Sequence, residues 1–331
     1  MGGKFMSARV DISVNLCTYN RKEMLIQTLK SLIQQETDGR FTFEIIVVDD
    51  ASTDGTQEVV KIFCKETIIP IKYIKEEGKG EANSRNRAVR ESQGKWIALI
   101  DDDEIAEPCW LKEMVSTATS HNADCVGGRM RLLLPDDSDA KIIGTVRKLL
   151  GETSIPKKHT YNGPGGGNAL INKKIFDEIG GFDISMIYGG TDQDFFRRAR
   201  KKGYSFVHAT NAVVFHIIPS NRLKPNYLRL TGRRCGKDVA YFDLREKGVI
   251  TVLYICALRL THALAITIPW LIYAHLICNE AEIMSRKCSL WFAVAYFRQT
   301  LFMLFPTLFP QKTFFDSLAN QSFRDITSQY D

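Results

Sequence analysis

The sequence predicts an α/β protein: a mostly parallel central sheet flanked by helices, followed by an apolar helical appendage at the C-terminal end. Three observations carry that expectation. From Val10 to about Ala118, short runs rich in β-branched residues alternate with stretches of helical period, the pattern of successive β-α units. Two of those apolar runs end in acidic clusters, which puts polar chemistry at the carboxyl ends of strands, where open α/β sheets bind ligands. The composition then changes: across Gly248–Asn279 the only Asp, Glu, Lys or Arg is Arg259, and across Cys288–Gln311 it is Arg298.

The first block should contain strands over Asp11–Cys17, Phe43–Val48, Ile69–Lys75 and Trp96–Ile100. Between the first two, Met24, Leu25, Leu29, Leu32 and Ile33 recur at helical spacing, which predicts a helix over Lys22–Gln35. A Ser-Thr-Asp-Gly turn opens a second helix over Thr56–Phe63, and a third over Asn83–Ser92 stops before Gly94. A second block, Val126 to about Ile218, is expected to begin with a strand over Cys125–Leu134 and to end with another over Ser205–Ile217. Its middle holds Gly163-Pro164-Gly165-Gly166-Gly167-Asn168, where bare backbone can approach a ligand closely. A helix ending at Asp177–Gly181 and another carrying Asp194–Lys202, stopped by Gly203, complete the block.

Residues 217–237 carry Arg222, Lys224, Arg229, Arg233, Arg234 and Lys237 with no acidic residue, and lead into the apolar region. Leu260–Cys278 gives 19 uncharged residues, near the roughly 20 that span a bilayer, but interrupted by His262, Pro269 and His275. Helices lying in the membrane interface beside a basic segment are the expected arrangement; helices packed on the rest of the chain or on a partner are the alternative. The implied division is a catalytic domain over 1–236, with halves of about 10–125 and 126–236, and an apolar region over 237–331.

Lys+Arg of 44 against Asp+Glu of 38 gives a net charge of +6, too mild to argue for nucleic acid. The eight cysteines, Cys17, Cys64, Cys109, Cys125, Cys235, Cys256, Cys278 and Cys288, form no C-x-x-C pair and no zinc spacing, as expected of reduced cytosolic thiols. The first twenty residues lack a secretory apolar run, and Met6 stands where an N-terminal acylation signal needs a hydroxyl residue. The expected location is the cytoplasmic face of the cell membrane.

Chemistry concentrates at three places. Leu99-Ile100-Asp101-Asp102-Asp103-Glu104 runs an apolar strand straight into four carboxylates, whose mutual repulsion calls for a cation; hard oxygen ligands select Mg²⁺ or Mn²⁺. Such an ion clamps a diphosphate and offsets charge developing on a leaving nucleotide. Val47-Val48-Asp49-Asp50-Ala51-Ser52-Thr53-Asp54-Gly55-Thr56 is a second acidic strand end, where a carboxylate can accept from a base N–H or a ribose hydroxyl. Ser52, Thr53 or Asp54 is read as a helix cap, which leaves Asp49 and Asp50 unaccounted for. Gly189-Gly190-Thr191-Asp192-Gln193-Asp194 is the third, with Asp194 also suited to compensating a helix N-terminus.

The order of these motifs resembles family 2 glycosyltransferases of the GT-A fold. The resemblance is carried by Thr18-Tyr19-Asn20-Arg21 after the first strand, the Val-Val-Asp-Asp-x-Ser-x-Asp-Gly-Thr run, Ala82-Asn83-Ser84-Arg85-Asn86-Arg87, Gly94-Lys95-Trp96, and the acidic run with Pro108 and Trp110-Leu111 behind it. It covers roughly residues 11–236. It implies that Thr18, Tyr19, Asn20 and Arg21 together with Asp50 hold the nucleobase, with Arg85 nearby. It also implies that Asp101 faces the ribose, that Asp103 ligates the metal and that Asp102 lies between them. Asp192 falls on the position of the base that removes the acceptor proton, while Thr191 replaces the family's usual Glu and Asp194 is a second acidic candidate. Gly166, Gly167 and Asn168 resemble the segment lining the donor sugar and acceptor, and His216 resembles a histidine that contacts metal or diphosphate.

The resemblance therefore implies an inverting, Mn²⁺- or Mg²⁺-dependent transfer from a nucleotide sugar, UDP-sugar expected, to a hydroxyl of a saccharide or lipid-linked saccharide, in polysaccharide biosynthesis at a membrane surface. A polyprenyl-phosphate sugar transferase and a catalytically silent nucleotide-sugar-binding scaffold are the alternatives. A processive synthase is disfavoured, because the family's Gln-x-x-Arg-Trp signature is absent. Arg222, Arg233 and Arg234 suit either phosphate oxygens or anionic lipid.

Overall fold

The computed structural model describes residues 10–78, 80–135, 142–153, 161, 163–186 and 190–309. The N-terminal segment weighed above as an acylation signal, Gly189, and the last two positions of the Cys288–Gln311 stretch lie outside the described residues. The chain forms two compact units. One takes the chain up to Arg131 plus Thr153–Ile217, the other Leu132–Glu152 plus the chain from Ile218 onward.

In the first unit, β1 (Ile12–Thr18), β2 (Phe43–Asp49), β3 (Ile71–Lys75) and β4 (Trp96–Ile100) run parallel, connected by α1 (Lys22–Ile33), α2 (Thr56–Glu66) and α3 (Glu81–Glu91). Every residue of β2 is buried, as expected of a strand covered on both faces. Helix α1 buries Leu25, Leu29 and Leu32, the stripe its sequence spacing predicted. Asp54 caps two helices at once: its Oδ1 accepts from Thr56 N–H at the start of α2, and its Oδ2 from Lys22 N–H (2.9 Å) at the start of α1. Gly94 lets β1 and the turn into β4 touch, since a Cβ there would lie 2.5 Å from Ser13 N.

Beyond β4 the sheet changes character. The chain continues through β5 (Glu104–Ala106), α4 (Trp110–Ser120), β6 (Cys125–Leu133) and α5 (Gly144–Leu149). It then forms β7 (Asn168–Asn172), α6 (Lys174–Ile179), α7 (Thr191–Lys201) and β8 (Phe206–Ile217). The strand order is β3-β2-β1-β4-β7-β6-β8-β5, and the β4–β7, β6–β7 and β5–β8 pairs are antiparallel. The sheet is thus mixed, parallel in its first half only. Neither β5 nor β7 stands out in the sequence: β5 is three residues long, and β7 follows directly on the glycine run.

The second unit collects α5 with α8 (Pro225–His262), α9 (Ile268–Leu276) and α10 (Glu280–Leu304). Leu132, Ile142, Val146 and Leu150 bury with Ile218, Leu228 and Cys288. That shared core draws the 132–152 segment and residues 218–236 away from the domain the sequence division gave them. Helix α8 breaks at Gly248, whose backbone (φ 75°, ψ 169°) is left-handed in φ and ends the helical path. Residues on both sides of the break, Ala240, Val252 and Cys256, bury together with Tyr296 of α10. A π-helical turn over Ala263–Thr267 joins α8 to α9.

Candidate active site

Parallel register brings the first candidate residues to one sheet edge. Thr18 pairs with Asp49, and Asn15 with Leu99, so β1, β2 and β4 all release their chains at the same end. The first two loops clasp each other. Asn20 accepts from Thr53 N–H through its Oδ1 (2.8 Å) and donates its own N–H to Ser52 Oγ (2.9 Å). Asn20 and Ala51 both adopt positive φ (50° and 68°), the conformations these two turns need. Asp49 is absorbed by the framework, since its oxygens accept from Ser52 N–H and the Tyr73 hydroxyl (2.6 Å). Asp50 is buried and takes Gly80 N–H at 3.1 Å. Tyr19, beside this clasp, is half-buried.

The acidic turn follows β4. Asp102 accepts from Thr18 Oγ1 (2.8 Å) and from Arg21 Nη1 (2.9 Å), while the same guanidinium nitrogen reaches Asp103 Oδ2 at 3.2 Å. His216 Nε2 lies 3.4 Å from that Asp103 oxygen, because β8 pairs Glu104 with His216. Asp101 accepts from Arg85 Nη2 (3.0 Å), which also holds Glu81 (2.7 Å). Burial pushes the Asp101 and Glu104 carboxyls up, and Asp102 to about 6, with Arg21 pulling Asp102 down and Asp103 pushing it further up. Four carboxylates crowd two guanidinium groups here, which is an excess of negative charge.

The antiparallel strand β7 starts at this same edge, Asn168 pairing with Ile100, and so delivers the glycine loop to the acids. A Cβ on Gly166 would meet Arg85 Nη1 at 2.8 Å, and one on Gly167 would meet Glu104 Oε1 at 2.3 Å and Asp101 Oδ2 at 2.6 Å. Only bare backbone fits. Gly166 N–H donates to Asp192 Oδ2 (2.9 Å), which stands in the first turn of α7. Asp192, Gly166, Gly167, Arg85 and the acidic turn thus form one connected group with Thr18 and Arg21.

Two of the candidate residues, Asn168 and Asp194, have their polar atoms engaged within the protein. Asn168 is 3% exposed, with its Oδ1 taken by Trp110 Nε1 (2.9 Å) and its amide given to the Arg129 carbonyl (3.1 Å). That clamp joins α4 to the sheet. Asp194 is paired with Arg197 (2.6 Å) and Arg198 (2.7 Å) of its own helix, so both its oxygens are engaged within α7. Thr191, the first residue of α7, is buried. Arg222, Arg233 and Arg234 belong to the second unit. Glu104 was part of the acidic run but carried no role of its own; with 1% exposure and contacts to both Asp101 and Gly167 it belongs to the site.

Among the described residues, no group of three or more His, Cys, Asp or Glu is arranged to hold a metal ion. The convergent pair is Asp103 and His216. A Mg²⁺- or Mn²⁺-sized ion bound largely through substrate phosphates needs few protein ligands, and an acid-rich turn supplies the charge, so this donor set fits such an ion.

The chain belongs to glycosyl transferase family 2, whose sequence model matches residues 13–180. It is 27% identical over 206 residues to glycosyltransferase AglE of Haloferax volcanii, covering 62% of this chain and 66% of AglE. It is 25% identical over 270 residues to the chondroitin synthase of Escherichia coli, covering 71% of this chain and 38% of that one. The chain therefore spans less than two thirds of the length of these relatives. Among solved structures, the mannosyltransferase PcManGT of Pyrobaculum calidifontis, in complex with GDP-Man and Mn²⁺, superposes with a TM-score of 0.59. The match has 17% identity and covers 91% of this chain and 89% of that one. The fold is the GT-A fold expected from the motifs, with a mixed sheet and a long apolar C-terminal helix.

Proposed function

We propose that this protein is an inverting, metal-dependent glycosyltransferase that moves a sugar from a nucleotide sugar, a UDP-sugar, to a hydroxyl of a saccharide or lipid-linked saccharide. The observation that carries the reading is the join between acid turn and base. Asp192 is held by Gly166 N–H, and the next residue, Gly167, rests on Glu104 and Asp101. A carboxylate placed there takes the proton of an acceptor hydroxyl as its oxygen attacks the anomeric carbon from the face opposite the diphosphate. One such group is enough for inversion.

On the donor side, Asp50 with the Thr18–Arg21 loop accepts from the nucleobase, and Asp101 faces the ribose with Arg85 fixing its carboxylate. Asp103 and His216 would hold Mn²⁺ or Mg²⁺, whose chemistry is to offset charge on the departing diphosphate. Arg21, now on Asp102 and Asp103, carries a guanidinium fork of the kind that suits phosphate oxygens. The site also supports the simpler function of binding without turnover, and the test separates the two.

Purified protein assayed against UDP-, GDP- and dTDP-sugars, with Mn²⁺ or EDTA, should release one nucleotide only when metal is present. The GDP arm is included because PcManGT was captured with GDP-Man. Asp103→Ala should abolish release, and Asp192→Asn should reduce it by about 10²–10⁴-fold, the usual size of a general-base contribution. Nucleotide binding without release, in the presence of membrane lipid extract as acceptor source, would establish the scaffold instead. Transfer to a polyprenyl phosphate in that extract would identify the acceptor as a phosphate and not a hydroxyl.

The apolar helices supply the proposed location, the cytoplasmic face of the membrane. The helical run Pro225–Leu276, broken at Gly248, is long and apolar enough to cross a bilayer, and much of its surface is bare. Its basic first part and exposed apolar second part suit helices seated in the interface of an anionic leaflet.

A further inference from the structure

We propose that Glu104 is a positioning residue that locks the acidic turn to the glycine loop, and so keeps the metal-side carboxylates in register with Asp192. This rests on the transferase reading above for the roles of Asp103 and Asp192, but its geometry stands apart from that reading. Glu104 closes the turn in both directions: its backbone N–H donates to the Asp101 carbonyl (3.3 Å), and its side-chain Oε2 accepts from Asp101 N–H (3.1 Å). The other side-chain oxygen, Oε1, faces the Gly167 backbone so closely that a Cβ there would stand 2.3 Å away.

The residue's own backbone is pinned as well. Glu104 pairs with His216 across β5 and β8, and Ile217 N–H donates to the Asp103 carbonyl at 2.8 Å. The carboxyl group is therefore a fixed strut and not a mobile acid. On the far side, Gly166 N–H holds Asp192, so contacts run unbroken from Asp103 through Glu104, Gly167 and Gly166 to the base. Removing the strut would leave the part-buried Asp101 N–H without this partner and the glycine loop without its seat. Small displacements of such a constellation cost rate far more than binding.

Hydrogen–deuterium exchange on the full chain without ligand, comparing wild type with Glu104→Ala and Glu104→Gln, reads this directly. The expected result is faster exchange in Glu104→Ala over both 99–106 and 163–169, and wild-type exchange in Glu104→Gln, whose amide oxygen still accepts from Asp101 N–H. Gly167→Ala, which pushes on the strut from the other side, should loosen the same two segments. In the nucleotide-release assay, Glu104→Ala should lower kcat about tenfold or more while UDP affinity stays within about threefold, and Glu104→Gln should keep kcat within about threefold. Loosening confined to 99–106, loosening of neither segment, or Gln behaving as Ala would overturn the proposal. Because exchange needs no turnover, a wrong assignment of Asp192 or Asp103 would show itself separately, as unimpaired release in the variants of those two residues.

Discussion

Asp192 and Asp194 are two residues apart in one helical turn, yet their surroundings give them opposite work. Asp192 touches a backbone N–H of the glycine loop; Asp194 is gripped by Arg197 and Arg198. Burial alone would raise Asp194, but the hydrogen bonds and charges of those two arginines outweigh it and hold the carboxyl below its ordinary value. A carboxylate whose folded pKa is depressed adds stability above its unfolded pKa and loses it as pH falls through the folded one. Asp194→Asn should therefore destabilise the protein by about 1–3 kcal/mol at pH 7, and the gap to wild type should close below about pH 4 in denaturant melts. A gap that stayed constant with pH would mean that packing, not charge, sets the loss. At this scale the sequence revealed residue types in a telling order, which is enough to single out Asp50, the acidic run and Asp192 as candidates. It did not reveal that Asn168 is spent on Trp110, or that Glu104 touches Gly167, because both contacts join positions dozens of residues apart.

Elements of strong period were readable with little error. Helix α1 and strands β1, β2 and β4 fall within a few residues of their predicted bounds, since buried stripes and continuous β-branched runs need no tertiary information. Strand β7 was hidden because a glycine run precedes it and its direction depends on pairing with β4. Element junctions also show where backbone must meet backbone. Gly94→Ala would press a methyl group to 2.5 Å from Ser13 N and 2.7 Å from the Ile12 carbonyl carbon, neither of which can swing away. It should cost about 1–3 kcal/mol and lower the melting temperature by several degrees, whereas Gly165→Ala, which meets nothing within 4 Å, should leave it unchanged. Differential scanning calorimetry of the two variants checks both halves of that statement.

For the whole molecule, the division into two units was the least legible feature, because Leu132–Glu152 joins the helical unit through a core assembled from distant parts of the chain. That unit also carries the bare apolar surface: Ile250 is 86% exposed and Leu276 78%. Basic residues near a surface contribute about 1 kcal/mol each toward anionic lipid. The protein should float with vesicles containing phosphatidylglycerol, less with pure phosphatidylcholine, and lose flotation on Ile250→Asp with Leu276→Asp. Equal recovery in the soluble fraction with every vesicle would place these helices against protein and not lipid.

The reversal of strand direction between β4 and β7 has an evolutionary consequence. Residues proposed to grip the donor emerge from strand ends, whereas the loop proposed to meet the acceptor enters at a strand's beginning, on a separate stretch of chain. A lineage that keeps Gly166 and Gly167 can lengthen or rewrite the chain ahead of them without shifting the register of the parallel strands. Under the proposed roles, changes ahead of that loop would alter acceptor choice while leaving the donor-gripping strand ends in place.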